Sequence, residues 1–326
     1  MQVSVIIPTY NRVKDVDGCL DSVTVQTTLP KEVIIVDDSD NDEIENLIEQ
    51  RKDEFNEKDM VLKYIRNEKE KSLTIARNIG IENATGDIIL FLDDDVILDK
   101  DYIKEILKVY KDKPDAMGVQ GLIPNKKNKT IINKFIEFLN KLFIMAIREK
   151  NKCRVLPSVS GSYPYFVNEI INCEYLFGAN QSYKKEILEE FKFDEKLKKY
   201  SYGEDLDLSY RIFKKCPSSL FMTPQAKLIH KSSKSEHLKR EVIYMGMIYF
   251  LYLFYKNIDQ SLKNKLIHLW SRFGYFVLNL GTLILKPSKS RLLRLKYLIG
   301  AYIMCMNHIG EIKRGELDFF NKELRR

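Results

Sequence analysis

Three short aliphatic runs, 3–8 (VSVIIP), 33–36 (VIIV) and 87–92 (DIILFL), each stop at a polar cluster, and this recurrence constrains the fold more than any other feature of the chain. The clusters are Thr9-Tyr10-Asn11, Asp37-Asp38 and Asp93-Asp94-Asp95. Stretches with helical spacing, 13–26, 41–56, 72–83 and 102–110, alternate with these runs and with two more, 61–65 and 117–123. Apolar runs of strand length suit strands covered on both faces, and strict strand–helix alternation joins parallel strands by crossovers. An α/β domain around a mostly parallel sheet is expected. In such sheets ligands lie beyond the carboxyl ends of the strands, where the three polar clusters gather.

From 126 to 172 the pattern is less regular. The segment 131–147 repeats apolar residues at helical spacing, 157–164 is rich in turn formers, and 174–177 (EYLF) reads as a strand. Helices are expected over 184–191 and 206–215, with a strand over 219–229 ending at His230. Beyond about 239 come three uncharged segments, 242–255, 273–285 and 297–306, each shorter than a membrane span. Basic clusters lie around the latter two: Lys263, Lys265, Arg272, then Lys286, Lys289, Arg291, Arg294 and Lys296. Helices lying in a membrane interface suit this pattern. A packed bundle closing the domain, or a single span or re-entrant hairpin, are the alternatives. No internal repeat is visible.

The 326 residues carry 44% apolar and 30% charged side chains with net charge +7, enough for two domains and too mild an excess for a nucleic-acid binder. The five cysteines are odd in number and irregularly spaced, with no CxxC pair, which argues against a disulfide framework or a structural zinc and for a reducing compartment. The N-terminus has neither a basic n-region nor a long apolar h-region, so a cytosolic location is expected.

Three adjacent carboxylates at a strand end repel one another unless a cation neutralises them, and a hard divalent cation there would hold phosphate oxygens. The alternative is a solvated acidic turn. Asp38 can accept from a base or a ribose hydroxyl. Equally, Asp37-Asp38 can cap the next helix, as Ser39, Asp40 or Asn41 can. No GxGxxG follows the first run, which disfavours a dinucleotide-binding dehydrogenase and a P-loop enzyme. Glu204 and Asp205 at a helix start read equally as acidic residues favoured by the dipole.

Taken together, SVIIPTYNR (4–12), IIVDDSD (34–40), ARNIGIENATGDIILFLDDDV (76–96), GAN (178–180) and GEDLDLSYR (203–211) resemble the inverting, family-2 glycosyltransferases of GT-A fold, over residues 3 to about 232. The resemblance implies a Rossmann-like nucleotide-diphospho-sugar transferase domain over 1–235, followed by an amphipathic, membrane-interfacial helical region over 236–326. It implies that Pro8, Thr9, Tyr10 and Arg12 embrace the nucleoside, that Asp38 accepts from the base and that Arg77 lies near the nucleotide. Asp93, Asp94 and Asp95 match the DxD element, with Asp94 toward ribose and Asp95 on a Mn²⁺ or Mg²⁺ that bridges the diphosphate. Asp205 matches the general base, and His230 a histidine that completes the metal or diphosphate site. Arg211 reads as a diphosphate contact or a salt-bridge partner.

The QxxRW signature of processive synthases is absent, which implies one sugar per encounter. The expected activity is transfer from a UDP- or GDP-sugar to a cell-surface glycan or lipid-linked oligosaccharide, at the cytosolic face of an anionic membrane. A polyprenyl-phosphate glycosyl synthase and a non-catalytic nucleotide-sugar-binding scaffold are the alternatives.

Overall fold

The computed structural model describes residues 1–124, 131–164, 166–231 and 240–324. In chain order the elements begin with β1 (Val3–Thr9), α1 (Val13–Thr24), β2 (Glu32–Asp37), α2 (Glu43–Asn56), β3 (Val61–Arg66), α3 (Leu73–Asn83), β4 (Ile88–Phe91), β5 (Val96–Leu98), α4 (Tyr102–Asp112) and β6 (Gly118–Leu122). Next come α5 (Ile131–Leu142), β7 (Arg154–Val155), β8 (Gly161–Ser162), β9 (Ile171–Cys173), β10 (Gln181–Lys184), α6 (Lys185–Glu190), α7 (Glu204–Lys215) and β11 (Leu220–His230). The chain closes with α8 (Arg240–Asn257), α9 (Leu262–Leu285), α10 (Lys289–Asn307), α11 (Ile309–Arg314) and α12 (Asp318–Leu324). Two compact units result: 1–125, 150–152 and 165–233, and 126–149, 153–164 and 234–326. The second unit therefore includes two stretches that lie before the expected break at 235/236, and that break itself lies outside the described residues.

The first unit is built on a sheet of order β3-β2-β1-β4-β10-β6-β11-β5, with β9 also pairing β11. β3, β2, β1 and β4 run parallel, while β10 is antiparallel to both its neighbours, β4 and β6. β5 and β9 are antiparallel to β11. Alternation along each strand covers both faces. Val5, Ile7, Val33, Ile35 and Leu90 join one core with Leu20 of α1 and Ile48 of α2. Ile6 points the other way, toward α3, where Gly80 admits it: a Cβ at Gly80 would stand 2.4 Å from Ile6 Cγ2.

Three local expectations are corrected. Residues 174–177 are not a strand; the strand is β9 just before them, and the Phe177 N–H donates to the Gln120 side chain instead of a ladder. α5 stops at Leu142 rather than 147, because the chain turns at Ile144 with φ 50°. β5 and β10 lie where no strand was expected; β10 (QSYK) is polar in sequence, yet Gln181 and Ser182 are fully buried.

In the second unit α8 is a core helix. Tyr249 and Phe254 are buried, Tyr249 Oη donates to Asn321 Oδ1 at 2.9 Å, and His268 stacks on Phe254 at 4.2 Å. Burial pushes the His268 imidazole down to about 3, so it sits there neutral. Residues 242–255 thus follow the bundle alternative rather than the interfacial one. Phe143, just past α5, lies between Trp270 and Phe273 at 4.9 and 6.2 Å, over Gly274, where a Cβ would meet its ring at 2.2 Å. That packing ties residues before 150 to α9. Among the described residues no helix is long and apolar enough to cross a membrane.

Candidate nucleotide-sugar and metal site

The carboxyl ends of β1, β2 and β4 bring together most of the residues singled out in the sequence. Pro8 is buried in the sheet opposite Val36, next to the end of β1. The turn after β1 passes through Asn11 in the left-handed region (φ 56°), a conformation asparagine tolerates, with its N–H on Ser39 Oγ at 2.8 Å. This turn leaves Tyr10 exposed with the Lys71 ammonium 5.6 Å from its ring. Asp38 is buried and accepts from Asn67 Nδ2 at 2.7 Å; burial pushes its carboxyl up to about 6, with the Asn67 bond pulling the other way.

Within the acidic triplet, Asp94 is held by side chains from the end of β1 and the turn after it. It accepts from Thr9 Oγ1 and from Arg12 Nη1, each at 2.9 Å. Burial pushes its carboxyl up to about 7 against the pull of these two partners. Arg12 Nη2 also donates to Tyr200 Oη at 2.7 Å.

Asp93 and Asp95 turn elsewhere. Ligand atoms of Asp93, Asp95 and His230 lie within 4.8 Å of one another, a two-carboxylate, one-imidazole group. His230 Nε2 stands 3.0 Å from Asp95 Oδ1 and 3.8 Å from Asp93 Oδ2, and the bond to Asp95 raises the imidazole's affinity for a proton. β11 supplies this histidine because its pairing with β5 places His230 opposite Val96, the residue after the triplet. Below the loop the buried Cys19 thiol faces the Asp93 carbonyl at 3.9 Å.

Arg77 does not point into open space. It is 1% exposed and donates to Glu204 Oε1 at 3.0 Å, Asp93 Oδ1 at 3.2 Å and the Gly178 carbonyl at 3.1 Å. Asp205 begins α7 behind Gly203, whose φ of 78° glycine adopts without strain. Its two oxygens accept from the Gly178 N–H at 2.8 Å and the Leu206 N–H at 2.7 Å. Gly178 has no side chain to obstruct this: a Cβ there would press on Asp205 Oδ2 at 3.3 Å. Burial raises the Asp205 carboxyl above the ordinary aspartate range despite these N–H donors and Arg77, and burial also raises Glu204. Arg211 is the salt-bridge partner of its two readings, on Asp207 at 2.9 Å and on the Lys192 carbonyl.

Sequence reasoning missed Glu204 as the partner of Arg77, Asn67 behind Asp38, and Tyr200 on Arg12. Glu204 carried a signal, as half of the acidic pair opening α7. Tyr200, 188 residues from Arg12, carried none.

Residues 4–191 match glycosyl transferase family 2. A glucosyl-dolichyl phosphate glucuronosyltransferase of Haloferax volcanii is 31% identical over 125 residues, which is 38% of this chain and 38% of that enzyme. The chain thus matches well under two thirds of that relative. S. aureus TarS with UDP-GlcNAc superposes with TM-score 0.58 at 16% identity, over 98% of this chain and 89% of that one. Mannosyltransferase PcManGT from Pyrobaculum calidifontis, with GDP-Man and Mn²⁺, gives 0.57 at 16% identity, over 93% and 86%. These likenesses carry the GT-A fold, and by the match over more than half its length the chain belongs to glycosyl transferase family 2.

Proposed function

We propose that the chain is a metal-dependent inverting glycosyltransferase that moves a sugar from a UDP- or GDP-linked donor to a cell-surface glycan or lipid-linked acceptor. The observation that carries this reading is the Asp93–Asp95–His230 group joined through Arg77 to the helix start that bears Asp205. Two carboxylates and an imidazole suit Mn²⁺ or Mg²⁺, and a cation held by them would supply neutralising charge to the departing nucleoside diphosphate. Asp38 and Tyr10 border the place for the nucleoside, and Arg12 keeps Asp94 in position.

Asp205 is the general base. As the acceptor oxygen forms its bond to the anomeric carbon, the bond from that carbon to the diphosphate oxygen breaks, and the hydroxyl proton passes to Asp205. A single displacement inverts the configuration. Fixed by two N–H donors and raised by burial, this carboxylate is a stronger base than an exposed aspartate. The Haloferax volcanii relative, named for a glucosyl-dolichyl phosphate, supports a lipid-linked acceptor.

The test is a panel of UDP- and GDP-sugars with Mn²⁺, followed by Asp205→Asn. Transfer should fall about 10²–10⁴-fold, with donor affinity by calorimetry unchanged and the product linkage inverted. Because Asp205 must be deprotonated to act and its folded pKa is raised, wild-type turnover should fall as pH drops, with the limb above the ordinary value of about 3.9. The Asn variant should lack that limb. Wild-type turnover in Asp205→Asn, a retained linkage, or full activity in excess EDTA would overturn the reading.

A further inference from the structure

The distal halves of α9 and α10 form a prong with a polar seam and an apolar surface. The buried residues of α9 are His268, Ser271 and Gly274, and the first buried residue of α10 is Leu295. Between them, from 275 to 294, no side chain is buried. Arg294 ties the two helices together there, donating to Asn279 Oδ1 and to Tyr275 Oη, each at 2.9 Å. At 1.5 Å per residue the α9 part of the prong is about 16 Å long. Ile284, Leu285 and Leu292 near its tip are 69%, 79% and 60% exposed. Apolar side chains presented this way mark a surface that meets something less polar than water.

Charge narrows what that is. From 260 to 310 the sequence carries eight basic residues and no acidic one. Arg294 is used in the seam, and Arg272 faces the Phe250 ring at 5.8 Å. Lys286, Lys289 and Lys296 remain exposed beside the apolar residues. A surface that accepts apolar side chains and also attracts cations is an anionic lipid interface. The tip selects the pose. Entry tip-first would carry Lys286 and Lys289 into hydrocarbon, which is heavily penalised, so the prong lies along the interface with its lysines among the headgroups.

We propose that residues 275–294 dock the protein on an anionic lipid surface. This does not depend on the donor site, so it can fail while that reading stands, and the reverse.

The experiment sediments the full chain with vesicles of phosphatidylcholine alone or mixed with phosphatidylglycerol. Wild type should partition onto the mixed vesicles and be released by salt. Lys286→Glu/Lys289→Glu should bind on the order of 25-fold more weakly, at about fivefold per lysine lost. Ile284→Ser/Leu285→Ser/Leu292→Ser should weaken binding by at least about tenfold. All five replaced side chains are exposed, so thermal melts should coincide with wild type, and the pair of variants separates charge from apolar contact. Equal partitioning onto neutral and anionic vesicles, or unchanged binding in both variants, would overturn the proposal. So would self-association that the serine variant abolishes in a protein indifferent to vesicles, since a second copy would then cover the prong.

Discussion

Asp94, Glu32 and Glu204 are all buried in the sheet-bearing unit, and each meets a cationic group: Arg12 at 2.9 Å, Lys63 at 2.5 Å and Arg77 at 3.0 Å. The helical unit arranges charge the other way, with Lys286, Lys289 and Lys296 exposed on a stretch that has no carboxylate between 260 and 310. A buried charge that loses its partner stays desolvated, whereas an exposed lysine has water whether or not anything else approaches. Charges of the first kind are bound up with folding and with the geometry of the site. Those of the second kind contribute little to folding and leave their effect for whatever the surface meets.

The largest test of that contrast is Arg77→Met. It strands Glu204 and removes one contact of Asp93, and denaturant unfolding should show a loss of about 3–5 kcal/mol. A loss under about 1 kcal/mol would break the comparison, because Arg77 would then behave like a surface cation. Asp95→Ala comes next. On the proposed reading, losing this carboxylate should lower turnover on the order of a thousandfold and abolish the Mn²⁺ dependence of nucleotide binding in calorimetry. Unchanged Mn²⁺ dependence would move the cation away from this group.

Glu32→Gln sharpens the contrast at smaller scale. Burial alone would raise the Glu32 carboxyl, but hydrogen bonds from Lys63, Ser4 and Thr85 outweigh it and hold the group at about 2, against an ordinary 4.5. A folded pKa below the unfolded one gives stability that is complete above pH 4.5 and lost as pH falls toward 2. With an allowance for the partly exposed Lys63, the variant should be about 2 kcal/mol less stable at neutral pH. The gap from wild type should close across that acid window. Lys289→Gln, the matched change in the helical unit, should move stability by less than about 0.5 kcal/mol at any pH. Equal effects from the two would erase the distinction.

The parallel half of the sheet was legible mainly because β1, β2 and β4 are local aliphatic runs ending in polar residues, and both signals survive in a few consecutive letters. β10 was not, since Gln181 and Ser182 are buried by their neighbours β4 and β6 rather than by any apolar pattern of their own. The acidic triplet was legible as a group, and so was the meeting of Asp95 with His230; that Asp93 joins them was not. Asp94 turns to Thr9 and Arg12 while Asp93 and Asp95 turn to His230, and that depends on which strand end each faces. Arg77 was placed near a nucleotide, yet its partners Glu204 and Gly178 lie more than a hundred residues away in sequence. In the C-terminal region the three uncharged segments looked alike. Only packing separates α8, buried through Tyr249 and Phe254, from the exposed ends of α9 and α10.

The seating of Phe143 over Gly274 also sets a timetable for biogenesis. About 130 residues of chain separate the ring from its socket, and at roughly 5–20 residues per second the ribosome needs about 7–26 s to deliver the second after the first. During that interval the sheet-bearing unit can form, but α5 and the aromatic residue behind it have no α9 to close on. Nascent chains stalled before α9 emerges therefore leave the Phe143 ring without its socket, however complete the sheet is.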